Sequence, residues 1–228
     1  MFTDQSYLLL HNPEQLNYGA AVTDIDGDGA FEVFIAGFGF PNRILKWTGA
    51  GFEDIADATL ADAARQAIGV AAADINSDGR EEIYVLNSDT FAGAKRFGDR
   101  LFLNRGLKWV DLFDIEDNAR SLNLTAGRSV VALDRDGDGT YGFFVANYGG
   151  PMRLYELSTH GLIEDVARAA GLNLAAGGRG LVALPLVTRF MDVFAGNEQG
   201  PNFLFASTGR GTFNEVAAQY GLDDPAEH

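Results

Sequence analysis

Short apolar segments recur along the chain in groups of four, separated by loops rich in glycine and acidic residues. Each group opens with a stretch of small apolar residues, at positions 18–22, 68–72, 128–132 and 179–183. A second stretch of branched and aromatic residues follows, and it ends at a glycine or an asparagine. Runs of this composition and length favour β-strands over helices.

A third and a fourth apolar stretch complete each group. The third stretches are residues 43–47, 100–103, 153–157 and 202–205, and the fourth are residues 52–55, 109–112, 162–166 and 213–216. After the last two groups, helix-forming residues end in a glycine at 167–172 and 217–222. This pattern predicts one short helical turn after the fourth strand.

Four strands per unit, repeated at intervals of 50 to 60 residues, predict an all-β fold, a β-propeller whose blades are small antiparallel sheets. We expect a single domain over residues 1–228, with four blades of four antiparallel strands at approximately 18–56, 67–115, 128–167 and 179–217. The first strand of each blade lies closest to the axis, where sheets crowd, and this accounts for its small residues. A β-sandwich with accidental internal similarity is the alternative.

Residues 1–17 precede the first blade, and residues 2–5 match the closing strands at 52–55 and 213–216. They predict an N-terminal outer strand followed by a linker. Because the fourth blade already has its own outer strand, the extra strand has no blade to complete, and we expect an open arc taken from a larger ring. The alternative is a closed ring of four blades with frayed first residues.

Three of the four units carry an acidic loop of the form D-x-[DN]-x-D-G between the first and second strands. Alternate side chains of a tight loop converge on one point, and several carboxylate oxygens there favour Ca²⁺. The seventh position offers a backbone carbonyl, and the ninth offers a further acid in two loops. The predicted metal ligands are Asp24, Asp26, Asp28, Ala30 and Glu32 in the first loop, Asp74, Asn76, Asp78, Arg80 and Glu82 in the second, and Asp134, Asp136, Asp138 and Thr140 in the third.

These loops differ from EF-hands, which need a glutamate at the twelfth position and flanking helices. Here the twelfth positions are Ile35, Val85 and Val145, within strand-like runs. The third loop has Gly142 at the ninth position, so we expect two strong calcium sites and one weaker site. For any single loop, a metal-free turn held by aspartate side chains is the alternative.

The fourth unit has lost this motif, because Pro185 stands where the first aspartate would be. If one deleted residue is allowed, Asp192 aligns with the ninth position of the other loops. We interpret Asp192 as the remnant of a lost metal site rather than as a catalytic acid.

The composition and net charge limit the classes of partner that the chain can bind. The net charge of −15 argues against nucleic acid and anionic membrane surfaces, and divalent cations would restore part of the charge balance. No apolar run is long enough to insert into a membrane, and residues 1–12 do not resemble a signal peptide. Cysteine is absent, so disulfides give no information on the compartment.

The loops and their glycine-rich flanks resemble FG-GAP or VCBS-type repeats, such as those of integrin alpha-chain propellers. A closer resemblance, to the propeller of the cartilage acidic protein family and its bacterial relatives, runs through residues 12–24, 79–84, 126–130 and 197–205. This resemblance implies a secreted, extracellular or periplasmic calcium-binding propeller, usually of seven blades, without assigned catalytic activity. The chain stops at His228, about where a fifth blade would begin.

Three functional hypotheses follow. The first is a non-enzymatic module for adhesion, in which calcium fixes the loops and the propeller binds a protein or a glycan, with a homo-oligomer as a further possibility. The second is a hydrolase or lyase with a site in the axial cleft, although the inner strands are mostly Gly, Ala and Val and the three histidines are far apart. The third is a calcium-responsive switch, which rigid loops between strands disfavour.

Overall fold

Four blades of antiparallel strands follow one another along the chain in the computed structural model, which describes residues 2–106, 108–198 and 200–224. Within these residues each blade contains four strands, and the innermost strand comes first in the chain. The strands are β1 (Asn17–Thr23), β2 (Glu32–Gly37), β3 (Arg43–Trp47) and β4 (Phe52–Asp54) in blade 1, β5 (Ala67–Ala73), β6 (Glu82–Asn87), β7 (Arg100–Asn104) and β8 (Trp109–Asp111) in blade 2, β9 (Gly127–Leu133), β10 (Gly142–Pro151), β11 (Arg153–Leu157) and β12 (Ile163–Asp165) in blade 3, and β13 (Ala175–Leu184), β14 (Asp192–Asn197), β15 (Phe203–Ser207) and β16 (Phe213–Glu215) in blade 4. The predicted all-β fold is confirmed.

Blades 3 and 4 are joined into one eight-stranded sheet. Both β10 and β13 extend beyond their blades, and Tyr148 pairs with Gly177 while Pro151 pairs with Ala175. Blades 1 and 2 remain separate four-stranded sheets.

Short helices connect the blades. The α-helices are α1 (Ala58–Ala61), α2 (Ala167–Ala170) and α3 (Ala217–Tyr220), and the 3-10 helices are Ser6–Leu8, Leu112–Asp114 and Glu116–Ser121. Helices α2 and α3 end at Gly171 and Gly221, whose positive φ angles of 80° and 65° permit the left-handed cap. Both predicted helical turns are confirmed, and in the described residues no helix has the length and hydropathy that a bilayer crossing requires.

The predicted N-terminal outer strand is wrong. Residues 2–5 form no strand, and the side chain of Asp4 accepts a hydrogen bond from the backbone N–H of Ser6 at 2.8 Å, which turns the chain into a 3-10 helix. The first pairing comes later, where Leu9 forms an isolated parallel bridge with Phe52 of blade 1. Among the described residues no antiparallel strand pairs with residues 2–5, so their sequence match to the closing strands is not sufficient to form a strand.

The core lies between the blades, because most strands have apolar residues on both faces. In β6, Ile83 and Val85 pack against blade 1, whereas Tyr84 and Leu86 pack against blade 3. This alternation follows from the two-residue period of a strand. A third cluster, which includes Phe144 and Phe205, joins blades 3 and 4.

An arginine–aspartate ion pair links the third and fourth strands of three blades. The pairs are Arg43–Asp54 at 3.2 Å, Arg100–Asp111 at 2.6 Å and Arg153–Asp165 at 2.9 Å. Each aspartate also accepts a backbone hydrogen bond from the residue that follows its arginine. These outer carboxylates therefore hold the blade edges together.

The inner strands crowd against each other at Gly19. A Cβ atom on Gly19 would lie 2.7 Å from the Cα of Gly69 in the neighbouring blade. We expect Gly19→Ala to force blades 1 and 2 apart and to lower the free energy of unfolding by about 1–3 kcal/mol. Urea denaturation of this variant and of Gly180→Ala measures the effect. Gly180 is the matched control, since a Cβ there meets nothing within 4 Å; equal losses in both variants would contradict the crowding.

Candidate calcium loops

The first aspartate of each loop shapes the backbone. The carboxylate of Asp24 accepts hydrogen bonds from the N–H groups of Gly27, Asp28 and Gly29 at 2.8, 3.1 and 2.9 Å. Asp74 and Asp134 make equivalent contacts in the second and third loops. The chain is thereby folded around this side chain, in an Asx-type turn.

This fold brings the alternate acidic side chains together in two loops. In the first loop, carboxylate oxygens of Asp24, Asp26 and Asp28 all lie within 4.8 Å of one another. Asp134, Asp136 and Asp138 form the same arrangement in the third loop. Three carboxylates at this separation repel each other unless a cation lies between them.

The ninth-position acids are buried beneath the loops. Both Glu32 and Glu82 have no exposed surface, and one oxygen of each accepts the N–H of Ile25 or Ile75, at 2.9 and 3.0 Å. The second oxygen of Glu32 lies 3.1 Å from the Nζ atom of Lys46. Each glutamate thus ties the start of the second strand to its loop.

Lys46 places an ammonium group inside the first loop, a contact that the loop motif itself does not indicate. Its Nζ lies 2.6 Å from both Asp26 and Asp28. These carboxylates hold the pKa of Lys46 above its ordinary value. A calcium ion in this loop would have to displace a cation that the chain itself supplies.

The second loop has no lysine at the corresponding position, which is Leu103. Burial raises the pKa of Glu82 to about 7, although N–H groups of Ile75 and Asn104 donate to its carboxylate. The neighbouring charges of Asp78 and Asp74 raise this pKa further. The second loop is therefore short of positive charge, and Asn76 contributes a neutral oxygen in place of a third aspartate.

Arg80, at the seventh position of the second loop, contacts Asp78 through both its side chain and its backbone N–H. Its Nη2 atom lies 2.5 Å from the carboxylate of Asp78. The backbone N–H groups of Ala30, Arg80 and Thr140 each donate to the aspartate two residues earlier. The prediction that the carbonyls of these three residues bind calcium stays a prediction.

The third loop has no room for a ninth-position side chain. A Cβ on Gly142 would lie 2.7 Å from the carbonyl oxygen of Tyr155 and 2.9 Å from the Cγ of Glu156. The carboxylate of Glu156 is paired with Arg135, at 3.1 Å for the Nη2–Oε2 contact. This loop therefore depends on its three aspartates.

In the fourth unit, backbone groups take the place of a cation. The buried carboxylate of Asp192 accepts N–H groups from Leu186, Val187, Thr188 and Ser207 at 2.8–3.0 Å, and the hydroxyl of Thr188 at 2.7 Å. Burial acts to raise the pKa of Asp192, but these hydrogen bonds outweigh it and lower the pKa. Its two oxygens accept five hydrogen bonds, four of them from the loop and one from Ser207 of β15, which agrees with its interpretation as the remnant of a metal site.

Comparisons with known proteins agree with this repeated architecture. Residues 24–85, which contain the first two loops, match the model of the FG-GAP-like repeat. Over 95% of its length the chain is 44% identical to cartilage acidic protein 1 of Xenopus tropicalis and 43% identical to that of Homo sapiens. Residues 24–85 thus match the FG-GAP-like repeat, and the chain is similar to cartilage acidic protein 1 over most of its own length. The resemblance to FG-GAP repeats and to cartilage acidic protein is therefore confirmed.

The chain spans only part of these relatives. It covers 37% of the Xenopus tropicalis and Homo sapiens proteins, and 38% of the Mus musculus protein, to which it is 42% identical. Among solved structures, the Dos1 propeller matches 90% of the chain with a TM-score of 0.53 and 11% identity. The chain covers 48% of that propeller, and the likeness supports the propeller fold alone.

Proposed function

We propose that this chain is a calcium-binding, non-enzymatic propeller module that binds a protein or a glycan outside the cell. The observation that carries the calcium proposal is the convergence of three aspartates within 4.8 Å in the first and third loops. The name of the relatives associates them with cartilage, which supports a location outside the cell. An adhesive role rests on the FG-GAP-like repeat and on this relationship.

Charge balance supports calcium in the second loop by a separate route. The charges of Asp74 and Asp78 act on the buried Glu82, and among the described residues Arg80 brings a positive charge to Asp78. A divalent ion there would stabilise the ionised form of Glu82 and attract the oxygen of Asn76. Calcium would thus replace repulsion by attraction at the junction of β5 and β6.

Calcium in the second loop would also stabilise the contact between blades 2 and 3. The hydroxyl of Ser77 lies 3.1 Å from that of Thr140 in the third loop, and the N–H of Tyr141 donates to the carbonyl of Asp74 at 3.3 Å. A fixed second loop therefore fixes its neighbour. These contacts favour a structural role for the ion over a switching role.

We expect millimolar calcium to raise the melting temperature relative to chelator, because an ion that binds only the folded state stabilises it by mass action. Asp26→Ala and Asn76→Ala should each remove part of this gain, since each takes one oxygen ligand from a loop. Thermal denaturation followed by circular dichroism, with and without calcium, measures the effect.

Asp117→Ala is the matched control, because Asp117 is an exposed carboxylate outside the loops. The Asp117→Ala variant should show the same rise in melting temperature on addition of calcium as the unchanged chain. Identical melting curves in calcium and in chelator for the unchanged chain would contradict structural calcium sites.

A further inference from the structure

A cavity of about 610 Å³ lies where the inner strands of the four blades converge. These strands are mostly Gly, Ala and Val in sequence, yet two arginines project into the cavity from β9 and β13. The principal residues that line the cavity are Tyr18, Phe38, Ile68, Phe91, Arg128 and Arg179. The cavity thus combines aromatic and aliphatic walls with two guanidinium groups.

Aromatic rings hold both guanidinium groups in place. The Cζ of Arg128 lies 4.7 Å from the ring centre of Phe91, and that of Arg179 lies 5.5 Å from the ring centre of Tyr148. The two rings contact each other edge to face at 5.0 Å. Arg128 also donates from Nη2 to the carbonyl oxygen of Phe91. The guanidinium groups are therefore positioned before any ligand arrives.

Nearby carboxylates neutralise only part of the positive charge of Arg128 and Arg179. Arg179 pairs with Glu198 at 2.5 Å, but no carboxylate of the described residues lies within ion-pair distance of Arg128. The Nε of Arg128 is buried without a hydrogen-bond partner. Burial and the nearby charge of Arg179 lower the pKa of Arg128.

The other acid at the cavity, Asp89, is already engaged. Its carboxylate accepts the N–H of Arg96 at 3.0 Å and lies 3.6 Å from the Nε of Arg96. Among the described residues, Glu198 is therefore the one carboxylate paired with either cavity arginine, and it pairs with Arg179, in a chain whose net charge is −15. A local excess of positive charge in such an acidic protein indicates recognition of an anion.

We propose that this cavity is a binding site for a carboxylate carried on a ring-shaped body, with Arg128 as the principal anchor and Arg179 as the second. A guanidinium group matches a carboxylate through two parallel N–H donors. The rings of Tyr18, Phe38 and Phe91 provide apolar surface for the body of the ligand. Small aromatic acids and the acidic sugars of glycans both carry this chemistry.

Binding is measured by calorimetric titration of the 228-residue chain with benzoate and with glucuronate, next to neutral benzamide and methyl glucoside. We expect at least one of the two acids to bind and both neutral compounds to fail. Binding of benzoate alone assigns an aromatic acid, and binding of glucuronate alone assigns an acidic sugar. Failure of both acids, or equal binding of acid and neutral compound, would overturn the proposal.

Variants locate the site. Arg128→Gln and Arg179→Gln should each weaken the binding of the acid at least tenfold, whereas Arg210→Gln, an exposed arginine outside the cavity lining, should bind as the unchanged chain does. Arg128→Lys keeps the charge without the paired donors and should bind with intermediate affinity, while circular dichroism verifies that each variant is folded. Unaltered binding in folded Arg128→Gln would refute the assignment. Titrations in calcium and in chelator separate this site from the calcium loops.

Discussion

Replacing Lys95 by methionine is expected to lower the free energy of unfolding by about 3–5 kcal/mol, because it leaves the charge of Asp99 buried without its counter-ion. The side chains of Lys95 and Asp99 are both fully buried and form a direct ion pair. The carboxylate of Asp99 also accepts the hydroxyl of Tyr84 and the Nδ2 of Asn123, both at 2.7 Å, and the N–H of Asn87 at 2.8 Å.

This network connects the second strand of blade 2 to the segment that leads into blade 3. Urea denaturation should show the loss as a lower midpoint with an unchanged slope. Lys108→Met is the matched control, since Lys108 is exposed and its replacement should change stability by no more than about 0.5 kcal/mol. If Lys95→Met were as stable as Lys108→Met, the ion pair would not be the buried counter-charge that the structure shows.

Replacing Lys46 by methionine is expected to have opposite effects with and without calcium. In chelator the variant should melt at a lower temperature, because Asp26, Asp28 and Glu32 lose the cation that balances them. With calcium present the ion no longer competes with an ammonium group. We therefore expect the calcium affinity of the first loop to increase roughly tenfold.

Calorimetric titration with calcium measures the affinity, and melting curves in chelator and in calcium measure the two opposite effects on stability. Lys108→Met provides the comparison, because it removes the same charge from a position outside the loops. A Lys46→Met variant that melts lower in both conditions and binds calcium no more tightly would show that the ammonium group does not compete for the ion.

The blades could be predicted from the sequence because their determinants are local. The acidic loops, the alternating strands and the glycines that end α2 and α3 each act within a few residues. The crowding of inner strands was also predictable from their small side chains, as Gly19 shows. The same local matching misjudged residues 2–5, where pairing depends on a neighbouring strand that the motif itself does not supply.

Interactions between distant positions could not be read from the motifs. Lys46 reaches the first loop from β3, and Arg128 and Arg179 meet at the axis although 51 residues separate them along the chain. The sequence did distinguish Lys46 from its counterparts in the other repeats. The corresponding positions of the other third strands are Leu103, Glu156 and Ala206, so a lysine there is unusual. The axial arginines carried no comparable signal, because their role depends on the curvature of the whole arc.

The most direct test is a crystal structure of the chain grown in calcium, with anomalous diffraction to identify the ion. We expect calcium peaks among Asp24, Asp26 and Asp28, with Lys46 displaced, and between Asp74, Asn76 and Asp78. Loops without bound metal in ample calcium, with the Nζ of Lys46 still between Asp26 and Asp28, would contradict this expectation.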